Sequence, residues 1–400
     1  MLGERDLAVT SRFFKGAKRL VEKSDLDMSP VEKRGALRMI GGESPDAPPA
    51  GLWKTRSETR RRAEEDPMRT TLTRLGKSLA IATSLAVAAG SAGAQDAPEW
   101  LGGELKKPLS ETRIGITVLY PGSNAYQAKY AETAVAYSEE LGIEATVMDP
   151  QGDPAVQFDQ IQDMASQRPD ALVVWPTSQN ALIPAIRNAA RSGIPVITSN
   201  SPIGEAGRRY IVGHTGPDDC AQAEQSAEML GDALGGEGKI VVVEGTPGYT
   251  VSILRKNCFL DKMADDYPGI EILASQTAEW NREKAQTVME TFLTQFGDEI
   301  DGVYAFDDGM GLGVISALQG AGKEPGEVKV VTCNQFGEGW DAMKAGWHSG
   351  SNKQSPVDDA ILAIQTAVRV ANGIEVPELQ GIETPKVLPG NVDDFERPTW

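Results

Sequence analysis

RIGITVLYPGSNAYQAKYAETAVAYSEELG, residues 113–142, sets the reading of the whole chain. Its first eight residues form an apolar run of strand length. A loop with Pro121 and Gly122 breaks the run, and 125–141 reads as a helix ending at a C-cap glycine, Gly142. The unit recurs. Strand 143–150 leads to helix 154–167, strand 171–175 leads to helix 180–193, and strands 194–200 and 209–213 close the round. A second round follows, with helix 218–234, strand 239–245, helix 250–266, strand 270–276, helix 282–296, strand 302–306, helix 311–322 and strand 328–334. Val/Ile-rich strands alternating with helices predict parallel sheets covered on both faces. Two rounds of similar length predict two doubly wound α/β lobes, in which ligands bind beyond the carboxyl ends of the strands.

Upstream stands MRTTLTRLGKSLAIATSLAVAAGSAGAQ, residues 68–95. Arg69, Arg74 and Lys77 form a basic head, 79–89 is uncharged and apolar, and Ala92-Gly93-Ala94 is an A-x-A pattern. Together these have the form of a cleavable export signal over 68–94. No Cys follows Ala94, which argues against a lipid anchor and for release into the periplasm as a soluble protein. Residues 1–67 carry 14 Lys/Arg and 12 Asp/Glu around a Pro/Gly cluster, GGESPDAPPAG at 41–51. They read as a disordered upstream extension, with translation starting at Met68.

Residues 95–400 hold 22 Lys/Arg against 45 Asp/Glu. So acidic a body is ill suited to nucleic acid or anionic membrane, because phosphate contacts need clustered Lys/Arg. Three cysteines in an oxidising compartment allow one disulfide. Cys220 and Cys258, each near a helix start in the same half of the chain, are the expected pair, with Cys333 buried and free. Enzymatic motifs are scarce. There are two histidines, no H-E-x-x-H, no metal-type Cys/His spacing, no G-x-S-x-G and no phosphate loop. Gly309, Gly311 and Gly313 follow a strand, but their spacing is G-x-G-x-G and Asp307-Asp308 would oppose a pyrophosphate. No cofactor, no metal and no catalytic residue is expected.

The strand ends carry the chemistry. Reading outward from each apolar strand gives Ser123, Asn124 and Tyr126, then Trp175, Asn200-Ser201, Asp307-Asp308 and Asn334, with Arg255 and Trp280 between them. Rings that cover C–H faces, and planar amide, carboxylate and guanidinium groups that engage paired hydroxyls, suit a sugar or polyol. Bland readings stay open: Trp175 as core, Asn200 and Asn334 as loop caps, Arg255 as a solvated helix residue.

At these residues the chain resembles the type I periplasmic solute-binding proteins of ABC transporters, in the ribose/galactose-binding-like group. The resemblance spans about 110–375. It rests on 114–142, on DPQGDPAVQFDQIQDMASQRPDALVVWPTSQNALIPAIRNAARSGIPVIT (149–198), EGTPGYTVSILRKNCF (244–259), TAEWNREKAQTVME (277–290) and GVYAFDDGMGLGVISALQGAG (302–322). It implies a ligand set of Asn124, Tyr126, Asn200, Ser201, Arg255, Trp280, Asp307, Asn334 and Gln354, with Ser123, Trp175 and Asp308 as further candidates. Asn200-Ser201, Asp307-Asp308 and Cys333-Asn334 stand where sugar binders usually carry Asp-Arg, Asn-Asp and Phe-Asp, so the ligand's identity does not follow from the family.

The resemblance also implies lobes at 110–214 with 355–383 and at 215–354 with 384–400, joined by three hinge crossings near 214–217, 353–356 and 382–386. The expected protein is a monomeric, non-enzymatic carrier that closes on a small polar ligand and delivers it to an inner-membrane ABC permease. A sensor partner of a chemoreceptor or histidine kinase is the alternative. A repressor sharing the bilobal fold is disfavoured by the export signal. Arg255→Ala and Trp280→Ala are each expected to cost more than about 2 kcal/mol of affinity with little loss of stability.

Overall fold

The computed structural model describes residues 97–119 and 124–400. The expectations for 1–67, for the leader at 68–94 and for Ser123 lie outside the described residues. In chain order the first half comprises β1 (Arg113–Thr117), α1 (Ala125–Leu141), β2 (Glu144–Met148), α2 (Pro154–Ser166), β3 (Ala171–Val174), α3 (Ile183–Arg191), β4 (Val196–Ser199) and β5 (Gly213–Gly216). The second comprises α4 (Asp219–Leu234), β6 (Glu237–Glu244), α5 (Thr250–Asp266), β7 (Gly269–Thr277), α6 (Arg282–Phe296), β8 (Gly302–Ala305), α7 (Asp308–Gly320), β9 (Lys329–Val331), α8 (Gly337–Lys344) and β10 (His348–Asn352). The chain then returns through α9 (Pro356–Ala371), β11 (Leu379–Gly381) and β12 (Lys386–Val387).

These elements build two α/β lobes, each on a six-stranded sheet. One has the order β11-β5-β4-β3-β1-β2, the other β12-β10-β9-β8-β6-β7. Every pairing is parallel except β10 with β12. Alternation of side chains along each strand divides the first sheet between two apolar layers. Ile114, Ile116, Val173 and Ile197 pack with Ala360, Ala363 and Ile364 of α9 on one face. Leu172, Val174 and Val196 pack with Ile161 of α2 and Ile186 of α3 on the other. In the second sheet Val241, Val243, Val303 and Val330 belong to one continuous core.

The chain passes between the sheets three times: from β5 into α4, from β10 through 353–355 into α9, and from β11 to β12. All three passages leave or enter near the carboxyl ends of the central strands. That is where the two lobes confront each other.

Polar strands escaped the apolar reading. Of the stretch 209–213 only Gly213 is strand: Glu205–Tyr210 forms a 3-10 turn, and the sheet takes Gly213–Gly216. Ile211 and Val212 mimic a strand but Val212 is exposed. His214 and Thr215 are buried because Thr198 Oγ1 lies 2.9 Å from His214 Nδ1 and Thr215 Oγ1 donates to Ser199 Oγ at 3.3 Å. Likewise β10 is HSGSN, buried through bonds such as Ser226 Oγ to Asn352 Oδ1 at 3.1 Å. Helix α7 starts at Asp308, three residues earlier than its apolar pattern, because Asp307 caps it by accepting from Met310 N.

Cys220 of α4 and Cys258 of α5 form a disulfide with Cα atoms 5.3 Å apart, and Cys333 is buried and free. The closed loop has a sequence separation of 38. Replacing both cysteines with serine is therefore expected to lower unfolding free energy by about 3–4 kcal/mol in urea titration. Unchanged stability together with three free thiols by mass would contradict this pairing.

Candidate functional site

A cleft opens where the strand ends of the two lobes meet, the place where open α/β sheets bind ligands. The first lobe contributes Asn124 and Tyr126 at the start of α1, Trp175 just past β3, and Asn200-Ser201 just past β4. The second contributes Arg255 from α5, Trp280 ahead of α6, Asp307 at the head of α7 and Asn334 beyond β9. Gln354 enters from the middle crossing. Leu119, Gln127, Tyr249 and Val251 complete the wall. These four carry no strand-end polar signal; Tyr249 is the N-cap of α5 and Val251 lies in its first turn, one turn before Arg255.

Helix caps do double duty here. Asn124 Oδ1 accepts from Tyr126 N at 2.9 Å, fixing the first turn of α1, and its Nδ2 donates across the cleft to Asp307 Oδ2 at 3.4 Å. Asp307 Oδ1 accepts from Met310 N at 2.7 Å. Thr250 Oγ1 donates to Pro202 O at 3.2 Å, and Phe336 and Tyr249 of the second lobe join the apolar layer of the first. The lobes are thus closed on each other.

The aromatic walls are locked. Trp175 donates from Nε1 to Ser201 Oγ at 3.2 Å and meets Tyr126 and Tyr130 edge-on, at 6.0 and 5.1 Å between ring centroids. Trp280 sits in left-handed backbone at φ 60° and its indole passes over Gly245, where a Cβ would lie 2.2 Å from Cζ2. Only glycine leaves room for that ring.

Arg255 lines the cleft and is not the solvated helix residue of the bland reading. It is 2% exposed. Nε donates to Asp219 Oδ1 at 3.0 Å, Nη1 donates to Phe306 O, and Nη2 faces Gln222 Oε1 at 2.9 Å, Asn334 Oδ1 at 3.1 Å and Gln354 Oε1 at 3.0 Å. Most of its donor capacity is spent inside the protein, so its main task is to hold the groups around it. Burial pushes the Asp219 carboxyl up, and the Arg255 guanidinium 3.0 Å away pulls against that rise.

Asp308 does not line the cleft. It turns into the second lobe, where Thr332 Oγ1, Ser351 Oγ and Phe336 N donate to it. As the first residue of α7 it points away from the strand ends that Asp307 faces. Burial pushes both carboxyls up, Asp307 to about 6 and Asp308 to about 7. Among the described residues no cluster of His, Cys, Asp and Glu is placed to hold a metal ion, and no helix is long and apolar enough to cross a membrane.

Residues 114–375 match the periplasmic binding protein domain. The chain belongs to that family. It is 31% identical over 281 residues to a xylitol-binding protein of Mycolicibacterium smegmatis, covering 70% of this chain and 78% of the relative. It is 29% identical over 253 residues to the ribose import binding protein RbsB of Haemophilus influenzae, covering 63% and 84%. Among solved structures, an ABC transporter solute-binding protein of Mycobacterium smegmatis with bound glycerol superposes with a TM-score of 0.66 at 28% identity, covering 71% of this chain and 96% of that one. One from Actinobacillus succinogenes with bound D-allose gives 0.66 at 25% identity, covering 71% and 100%.

In this periplasmic binding protein the cleft amides have assigned faces. Asn334 and Gln354 give their oxygens to Arg255, which leaves their NH2 groups as donors. Gln354 Oε1 also accepts from Gln222 Nε2 at 3.0 Å. Toward a ligand the one guanidinium is balanced by Asp219, and Asp307 is the carboxyl that lines the cleft. Replacing Arg255 with Met would strand Asp219 and several buried oxygens; the expected loss is about 3–5 kcal/mol of unfolding free energy, read by urea denaturation. An unchanged midpoint with lost ligand binding would instead restore the ligand-fork role.

Proposed function

We propose that this protein captures a small, uncharged, polyhydroxylated ligand, a sugar or polyol, by hinge closure of its lobes and delivers it to an inner-membrane ABC permease. The observation that carries this reading is a closed interlobe cleft with indole walls and protein-oriented amides, whose single guanidinium is already neutralised. Aromatic faces shield C–H surfaces, and fixed donors and acceptors match adjacent hydroxyls. An anionic ligand would lack a free cation. The ligands named for the relatives, xylitol, ribose, D-allose and glycerol, are neutral polyhydroxylated molecules. A relative named for import favours delivery over the chemoreceptor or kinase alternative. Asn124, Tyr126, Trp175, Asn200, Ser201, Trp280, Asp307, Asn334 and Gln354 form the proposed contact set, with Arg255 as its brace. We assign no catalytic step, and we read the protein as a periplasmic monomer freed of its leader near Ala94.

A thermal-shift panel of sugars, polyols, nucleosides and amino acids tests the ligand class. At 100 times its dissociation constant a true ligand adds about 2.7 kcal/mol of stability, so sugars or polyols should raise the midpoint. Trp280→Ala should weaken that ligand by more than about 2 kcal/mol while leaving the ligand-free midpoint nearly unchanged. A response confined to amino acids or nucleosides would defeat the reading. N-terminal sequencing of the secreted protein should start near Gln95; a chain retaining 1–67 would defeat the export account.

A further inference from the structure

Asp359 stands behind the first-lobe wall of the cleft, in the first turn of α9, fully buried at 0% exposure. Its Oδ2 accepts from Tyr126 Oη at 2.9 Å and from Asn200 Nδ2 at 2.7 Å. Its Oδ1 is buried with no hydrogen-bond partner. The proposed contact set does not include it, and the chain's apolar pattern gave no reason to look there.

An ionised carboxylate only accepts hydrogen bonds. The Asn200 amide therefore cannot turn its oxygen toward Asp359: Nδ2 faces the carboxylate and Oδ1 faces away. A proton carried on Oδ1 of Asp359 changes nothing, since Oδ2 still accepts. The Asn200 backbone has no slack with which to escape this orientation. It is left-handed at φ 60°, and its N–H donates to Thr215 O at 2.7 Å. Gly216 passes so close that a Cβ there would lie 2.7 Å from Asn200 Cα. Tyr126 is held in the same way, since its hydroxyl proton goes to Asp359.

We infer that Asp359 is a positioning residue that fixes Asn200 as a hydrogen-bond acceptor in the cleft, so that the site selects ligands presenting a hydroxyl proton at that point. The ligand part of this rests on the proposed sugar or polyol reading; the orientation of the amide does not. The arrangement gives the cleft the directing effect of a carboxylate without exposing its charge to the ligand.

A double-mutant cycle with a ligand-free arm tests it. Xylitol, D-ribose and D-allose serve as probes, titrated calorimetrically into the secreted protein, and the tightest is carried forward. Asp359→Leu should weaken that probe about 10–30-fold, yet by less than about threefold in an Asn200→Ala background. The same penalty in both backgrounds overturns the positioning role, because a general structural defect would act regardless of Asn200. Thermal unfolding of each variant verifies that it is folded. If Asp359→Leu is not, Asp359→Asn in the Asn200→Ala background replaces it under the same criterion. In the ligand-free arm, the Asn200 side-chain amide is assigned in a nitrogen-15 spectrum by its loss in Asn200→Ala. One of its two protons should be protected from solvent exchange in the wild type and lose that protection in Asp359→Leu. Two rapidly exchanging protons in the wild type overturn the inference. If none of the probes binds, the polyol reading fails and the amide arm still decides the role of Asp359.

Discussion

Arg255 can be buried only because acceptors from four separate segments converge on it. Asp219 and Gln222 come from α4, the Phe306 carbonyl from the end of β8, Asn334 from beyond β9 and Gln354 from the middle crossing. A lone guanidinium in this place would carry a prohibitive desolvation cost, and each acceptor left without it would be orphaned in turn. The second-lobe half of the cleft is therefore one cooperative unit. The disulfide from Cys220, beside Asp219, to Cys258, one helical turn past Arg255, ties together the two helices that carry the ion pair.

Past Gln354 at the crossing, the first lobe holds a second buried cluster, in which Tyr126 donates to Asp359 and Asp359 orients Asn200. Asn124 and Asp307 meet directly across the cleft, each also capping a helix. Closure excludes water from these groups, which raises the penalty for any ligand that leaves one of them unpaired. Selectivity in this design comes from fixed directions of hydrogen bonds, with Asp219 and Asp359 kept behind the wall and Asp307 in it.

Much of this was legible in the chain. Apolar strands such as 171–175 and 239–245 announce themselves, and the residues just past them line the cleft because strand ends converge there. What the pattern could not reveal was polar and buried. The strands GHTG and HSGSN lack apolar runs, and they join the sheets through side-chain hydrogen bonds that only the folded partner supplies. The acceptors around Arg255 were hidden as well, because a sequence shows a cation without its partners. Asp308 stood as a further candidate beside Asp307, though one residue along a helix start turns the side chain by about 100°. Asp359 gave no signal at all, as its partners lie 159 and 233 residues away.

The central claim is that closed lobes hold an uncharged polyhydroxylated ligand against oriented amides and an indole face. A crystal structure of the protein with the sugar or polyol that most raises its unfolding midpoint tests this most directly. The account predicts the ligand's C–H face on Trp280, a ligand hydroxyl donating to Asn200 Oδ1, and Arg255 still bound to Asp219. A ligand seated outside the cleft, or one whose anionic group has displaced Asp219 from Arg255, would contradict it.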